Sequence, residues 1–284
     1  MTVIDFHTHI FPPSVRDDRD RYAARDAWFG SLYATPRAKL ATAEDLVAEM
    51  DAAGVEASVA CAFGWADPGL CHDHNNYILA AARAYPGRIL PFVVANARHG
   101  AAAATEVARC HQLGAVGVGE LMPDGQGFAL DDPAALAPLV EVVTRLGLPL
   151  LTHTSEPAGH SYPGKGTVTP LAVYSFAQRY PAVTLICAHW GGGLPFYELM
   201  PELRRTLANV YYDTAAGLYL YRDDIFAAAV AAAGAAKVLF ATDYPLLGQA
   251  RYLARVRACG LADTALAAVL GGNAARLLRR GSGE

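Results

Sequence analysis

Two histidines spaced i, i+2 close the first apolar run of the chain, where Val3-Ile4-Asp5-Phe6 leads into His7-Thr8-His9. Side chains two apart on a β-strand leave the same face. Two imidazoles there, at the C-terminal tip of a strand, form a ready pair of metal ligands. Four more strand-like runs end in a residue that can bind metal or move a proton: Val116 to Glu120, Leu148 to His153, Val183 to His189, and Lys237 to Asp243. Histidine with carboxylate suits zinc, so one or two Zn²⁺ ions are the first expectation, with Mn²⁺ or another divalent metal as the alternative. Such an ion can lower the pKa of bound water from about 15.7 to about 7. Asp243 could bind metal and act as the base for that water. His189 could polarise a substrate or shuttle a proton.

These residues need a frame that brings strand tips together. Strands are expected at Val3–Phe6, Ala57–Cys61, Ile89–Val94, Val116–Glu120, Leu148–His153, Val183–His189, Val210–Asp213 and Lys237–Phe240. Most begin about 30 residues apart, the length of one βα unit. Eight such units predict an α/β fold, a (β/α)₈ TIM barrel, as one domain over residues 1–284. Helix signals lie between the strands. Thr42 and Asp45 make a capping box, and Asp132-Pro133 starts a helix that Gly147 ends. Asn273 is read as the cap of a last helix, Ala274 to Arg280, before a frayed Gly-Ser-Gly tail.

Two segments interrupt this rhythm. Residues 11–41 form a loop insertion after strand one, with Tyr22, Trp28, Phe29 and Tyr33 among many charges. Residues 155–168 follow strand five and hold Glu156, His160, Tyr162 and Lys165. Both follow C-terminal strand ends, so both should overhang the active face. His160 and Lys165 are candidate substrate contacts, as are Trp190 beside His189 and Tyr244 beside Asp243. For Trp190 a packing role stays open. Cys71, His72 and His74 look like a second metal cluster but are read as a loop before a helix Tyr77 to Tyr85, capped by Asn75 or Asn76. Gly191-Gly192-Gly193 lacks the Lys-Ser/Thr of a phosphate loop, and its glycines are read as a close turn past the site.

Composition narrows the class. The formal net charge is −4 with no basic cluster, which argues against a nucleic-acid partner. No apolar stretch is long enough to predict a membrane span. Met1 runs straight into the first strand, and the five scattered cysteines read as reduced thiols, so a cytoplasmic protein is expected. The expected partner is a small-molecule substrate.

The chain resembles the amidohydrolase superfamily, and within it the amidohydrolase-2 branch that includes aminocarboxymuconate semialdehyde decarboxylase. The resemblance spans nearly the whole chain. It rests on Asp5-Phe6-His7-Thr8-His9 with Pro12, Thr152-His153, Ala188-His189-Trp190-Gly191-Gly192, Thr242-Asp243-Tyr244-Pro245 and Gly272-Asn273-Ala274, in that order. It implies His7, His9, His153 and Asp243 as metal ligands, His189 as the catalytic histidine of strand six, and a homodimer. Glu120 at the tip of strand four matches branches in which a carboxylate bridges two metals. His153 and His189 would then hold the second ion.

The main expectation is a metal-dependent hydrolase that cleaves an amide, ester or lactone with metal-activated water. The alternative is a non-oxidative, metal-dependent decarboxylase of a small carboxylic acid. Its substrate needs a cationic partner, for which Arg16, Arg19, Arg21, Arg25, Arg37 and Lys165 are candidates. Against it stands the negative charge of Glu120, which would repel an anion. A reading of another class is a non-catalytic metal- or ligand-binding barrel.

Overall fold

The computed structural model describes residues 1–279. Eight parallel strands form one sheet in sequential order: β1 (Ile4–His9), β2 (Ala57–Cys61), β3 (Ile89–Val93), β4 (Gly117–Leu121), β5 (Leu150–Thr152), β6 (Leu185–Cys187), β7 (Val210–Asp213) and β8 (Val238–Leu239). Past the end of β8 the chain returns to β1. Phe6 N donates to Phe240 O (2.8 Å), Asp243 N to His7 O (2.9 Å) and His9 N to Tyr244 O (2.7 Å). The sheet is thus a nearly closed (β/α)₈ barrel. It carries Asp243 directly beside the two histidines of β1.

Continuous burial along the strands follows from apolar packing on both faces. Phe6, Val59, Cys61, Phe92, Leu151, Ile186 and Leu239 fill the interior, and a larger apolar layer lies under the helices. Phe6 and Phe92 meet edge to face at 5.6 Å. Fully burying a side chain of this size contributes about 1.5–3 kcal/mol, so this layer is a firm floor beneath the strand tips. β1 departs from simple alternation. Its register against β2 shifts between Asp5 and Thr8. Asp5 points outward, where its carboxylate accepts from Gln249 Nε2 (2.8 Å) on the helix Gln249–Arg257. Phe6 points inward, so strict alternation would send His7 and His9 out with Asp5. The irregularity returns both to the interior.

The helix signals at Thr42 and Asp132 are present as read. Thr42 and Asp45 form the full capping box, and Asp132 accepts from Ala134 and Ala135 amides. Three expectations change. The insertion is helical, with short helices Pro13–Asp17, Arg19–Arg25 and Ala27–Tyr33, the last capped by Asp26. The helix expected from Tyr77 begins earlier, at Pro68, capped by Asp67. His72 and His74 therefore lie in a helix, not a loop. His74 is a satisfied core residue that accepts from Phe63 N and Trp65 Nε1 and donates to Ile10 O. Asn273 caps no helix, because its backbone continues one already begun at Asp263. Its buried side chain donates to Ala235 O and Val238 O instead. Arg280 and the Gly-Ser-Gly tail lie outside the described residues. Among the described residues no helix is long and apolar enough to cross a membrane.

Candidate metal centre

The strand tips gather six ligand-type side chains at one end of the barrel. They fall into two triads, His7–His9–Asp243 and Glu120–His153–His189. In the first, Nε2 of His7 and Nε2 of His9 lie 3.0 Å apart, and Asp243 Oδ1 is 3.4 Å from His9 Nε2. In the second, His153 Nδ1 is 3.2 Å from His189 Nε2. Glu120 spans both. Its Oε2 lies 3.4 Å from His7 Nε2 and 3.4 Å from His9 Nε2, while Oε1 lies 3.1 Å from His153 Nδ1. Of the four residues implied by resemblance, His7, His9 and Asp243 group together, and His153 groups with Glu120 and His189.

The donors suit a divalent cation. Three rings are fixed from behind. Asp213 Oδ2 accepts from His7 Nδ1 (2.8 Å), Ala215 O from His189 Nδ1 (3.2 Å) and Gly164 O from His153 Nε2 (2.8 Å). Each bond holds the proton on the outer nitrogen and turns a lone pair inward. Lone pairs so close to one another and to two carboxylates require positive charge between them. Without an ion, protons must supply it. Burial opposes a charge on His7, but Glu120 and Asp213 outweigh it and push the pKa well above the usual histidine range. Burial likewise opposes a charge on His189, yet the Glu120 hydrogen bond and the nearby carboxylates push its pKa up to about 9. Burial alone would raise Glu120; the charge of His7 and the histidine hydrogen bonds hold it well below the usual carboxylate range. A metal replaces those protons.

Backbone geometry at the tips is unusual where the chemistry sits. His189 (φ 56°) and Asp243 (φ 64°) are left-handed, a conformation that costs a non-glycine residue about 1–2 kcal/mol. Each is held by its own amide: His189 N donates to Asp213 Oδ1 (3.0 Å) and Asp243 N to His7 O. After His189 the left-handed turn runs on through Trp190, Gly191 and Gly192. A Cβ on Gly192 would stand 2.3 Å from Ser155 O, so the glycine permits the close pass read from the sequence. Gly192→Ala is expected to lower unfolding stability by about 3 kcal/mol, from the strained φ together with the clash. Urea denaturation checks this.

A cavity of about 460 Å³ opens above the triads, with His9, Glu120, His153, His189 and Asp243 on its wall. The insertion contributes Trp28, Leu32, Tyr33 and Lys39, and the segment after β5 contributes His160 and Tyr162. His160 is therefore on the cavity wall. Three other candidates are not. The left-handed turn carries Trp190 away from the cavity into the core, with its ring 5.0 Å from Phe226. Lys165 Nζ binds the carbonyls of Ala158, Gly159 and His160 and braces its own loop. Tyr244 faces an outer groove with Asp45 and Glu49, while Pro245 and Leu246 after it reach the cavity. None of the candidate arginines lines the cavity among the described residues. Arg16, Arg21 and Arg25 approach surface carboxylates, and Arg19 donates to Thr35 O. Lys39 is the lysine that does line it.

Asp213 is a site residue that the sequence-based candidates do not include. It ends β7 just as Glu120 and Asp243 end other runs, and the same test of strand-terminal carboxylates would have found it.

The sequence model of the amidohydrolase family matches residues 4–280. The chain belongs to this family. No curated protein matches it. Solved structures share the amidohydrolase barrel over nearly the full length. The 5-carboxyvanillate decarboxylase of Sphingomonas paucimobilis has a TM-score of 0.80 at 20% identity, covering 98% of this chain and 99% of that one. The 2,6-dihydroxybenzoate decarboxylase from Rhizobium has a TM-score of 0.73 at 19% identity, covering 98% and 99%. The dihydroxybenzoic acid decarboxylase of Polaromonas sp. JS666, with bound manganese and the inhibitor 2-nitroresorcinol, has a TM-score of 0.75 at 20% identity, covering 99% and 98%.

These similarities overturn the expectation of a hydrolase, because the named enzymes are decarboxylases. The structure also removes the objection that had weighed against decarboxylation. The Glu120 carboxylate lies among His7, His9, His153 and His189. Its charge is compensated inside the protein and does not face a substrate alone. Nor do the comparisons favour zinc over other divalent ions, since a neighbour holds manganese.

Proposed function

We propose that this protein is a metal-dependent, non-oxidative decarboxylase of a small aromatic acid. The observation that carries the reading is the cavity: a floor of histidines and carboxylates under walls that include Trp28, Leu32, Tyr33 and Met122. Such walls accept a flat apolar ring, and the floor accepts its charged edge. The decarboxylase neighbours support the same choice.

We assign His7, His9 and Asp243 as ligands of a divalent ion, with Glu120 Oε2 as a further donor. His153 and His189 flank Glu120 and offer a second position. Zinc and manganese both suit this donor set. When bound, the ion supplies Lewis-acid anchoring of the acid's oxygens and offsets their charge. The chain's own residues do the rest. Asp243 Oδ1 faces the histidines, which leaves Oδ2 for the substrate. Oδ2 takes up a proton from solvent and passes it to the ring carbon that bears the carboxylate. The carbon–carboxylate bond then breaks, its electron pair stays on the ring, and carbon dioxide leaves. Tyr33 stays a neutral hydroxyl, because burial raises its pKa and the nearby charges of Asp243 and Glu120 raise it further. It can therefore donate a hydrogen bond to a substrate oxygen.

Turnover in D₂O tests the reading. The product ring should carry one deuterium at the carbon that lost the carboxylate, and an acid recovered unchanged from the metal-loaded enzyme would oppose it. Lys39, exposed at the cavity, is the cation positioned to meet an anionic substrate. Lys39→Met should raise KM for the acid about tenfold with a smaller change in kcat, because it removes one charge-assisted contact. Steady-state kinetics at two salt concentrations check this.

A further inference from the structure

Asp213 is fully buried at the tip of β7 and belongs to neither triad. Its carboxylate is used completely. Oδ2 accepts from His7 Nδ1 at 2.8 Å. Oδ1 accepts from the amides of His189 and Ala215, each at 3.0 Å. The second of these bonds folds the β7 tip so that Ala215 O accepts from His189 Nδ1. One carboxylate therefore touches a histidine of each triad by two routes. It fixes the ring of His7 directly, and it holds His189 through a backbone that stands in the left-handed region.

We propose that Asp213 is the positioning residue of the metal centre, setting the inward lone pair of His7 and the placement of His189 together. The chemistry of the three contacts makes this specific. All three partners are N–H donors, so the group must accept three times. Only a carboxylate does so from both oxygens. An amide of the same shape has one accepting oxygen. If that oxygen stays with the two backbone amides, the NH₂ group turns to His7 Nδ1. His7 must then accept there and carry its proton on Nε2, facing the centre. The ring remains in place but no longer offers a lone pair. The inference rests on the metal-binding reading of the site and not on the reaction.

The test is Asp213→Asn beside wild type, with zinc affinity measured by chelator competition on the folded proteins. The variant should bind zinc about 10–100-fold more weakly. Its metal-free thermal stability is recorded alongside. A purely structural role would lower that stability and leave zinc affinity unchanged, which would overturn the proposal. A second measurement needs no variant. In zinc-loaded wild type, proton–nitrogen correlation of labelled histidine should place the His7 proton on Nδ1, protected from exchange by burial. A proton on Nε2 would overturn the proposal even if Asp213→Asn fails to fold. Wild type that binds no divalent ion would refute both this proposal and the metal reading. Zinc binding with the expected tautomer but no decarboxylation would remove the reaction and leave the role of Asp213 standing.

Discussion

Asp243→Asn should lower kcat for decarboxylation about 10³-fold, within the span that a positioned proton donor contributes. Asp243 stands at the junction of floor and cavity. Its amide is tied to His7 O, its backbone is left-handed, and its carboxylate remains 15% exposed where the other site carboxylates are sealed. That exposure is what a group delivering a proton to substrate needs. Asparagine keeps the shape and can keep one donor oxygen towards His9, but it has no acidic proton to give. Rapid-quench single turnover on variant protein with its metal content measured separates the chemical step from loss of the ion. A variant of equal metal content and near wild-type rate would remove Asp243 from the proton transfer.

Glu120→Gln should have the second largest effect, at least a tenfold loss of divalent-ion affinity. Its carboxylate is almost fully buried and gives one oxygen to each triad. Removing its charge leaves four histidines with only Asp243 and Asp213 to balance a cation, in a site where water cannot screen the loss. An ion held by the second triad would be lost outright, since His153 and His189 would keep no anionic partner. Elemental analysis of protein prepared without chelator gives the stoichiometry, and chelator competition gives the affinity. Unchanged values in both would return Glu120 to a purely structural place.

The sequence made the barrel legible because parallel strands buried on both faces leave continuous apolar runs, and their tips carry the chemistry. The observed bounds of β2 and β7 coincide with the expected Ala57–Cys61 and Val210–Asp213. The ligand pair of β1 was legible as a spacing, but the irregularity that turns it inward was not, because it arises from pairing with β2. Side chains that reach the cavity from the insertion were hidden for a related reason. Arginines crowd that segment, and only the folded insertion brings Lys39, beyond its three helices, to the rim shared by the cavity and the outer groove. Trp190 misled because a left-handed turn after His189 reverses the direction that adjacency implies. The early helix start at Asp67-Pro68 is a cap-and-proline signal in plain view, with which Asn75 and Asn76 compete as caps further along.

The most direct test of the account is carbon dioxide release from mono- and dihydroxybenzoic acids by protein reconstituted with manganese or zinc, compared with the same protein after chelation. The account predicts stoichiometric carbon dioxide and decarboxylated ring from at least one acid, abolished by chelation and restored by the ion. Release that survives complete removal of metal, or none from any acid by fully loaded enzyme, would contradict it.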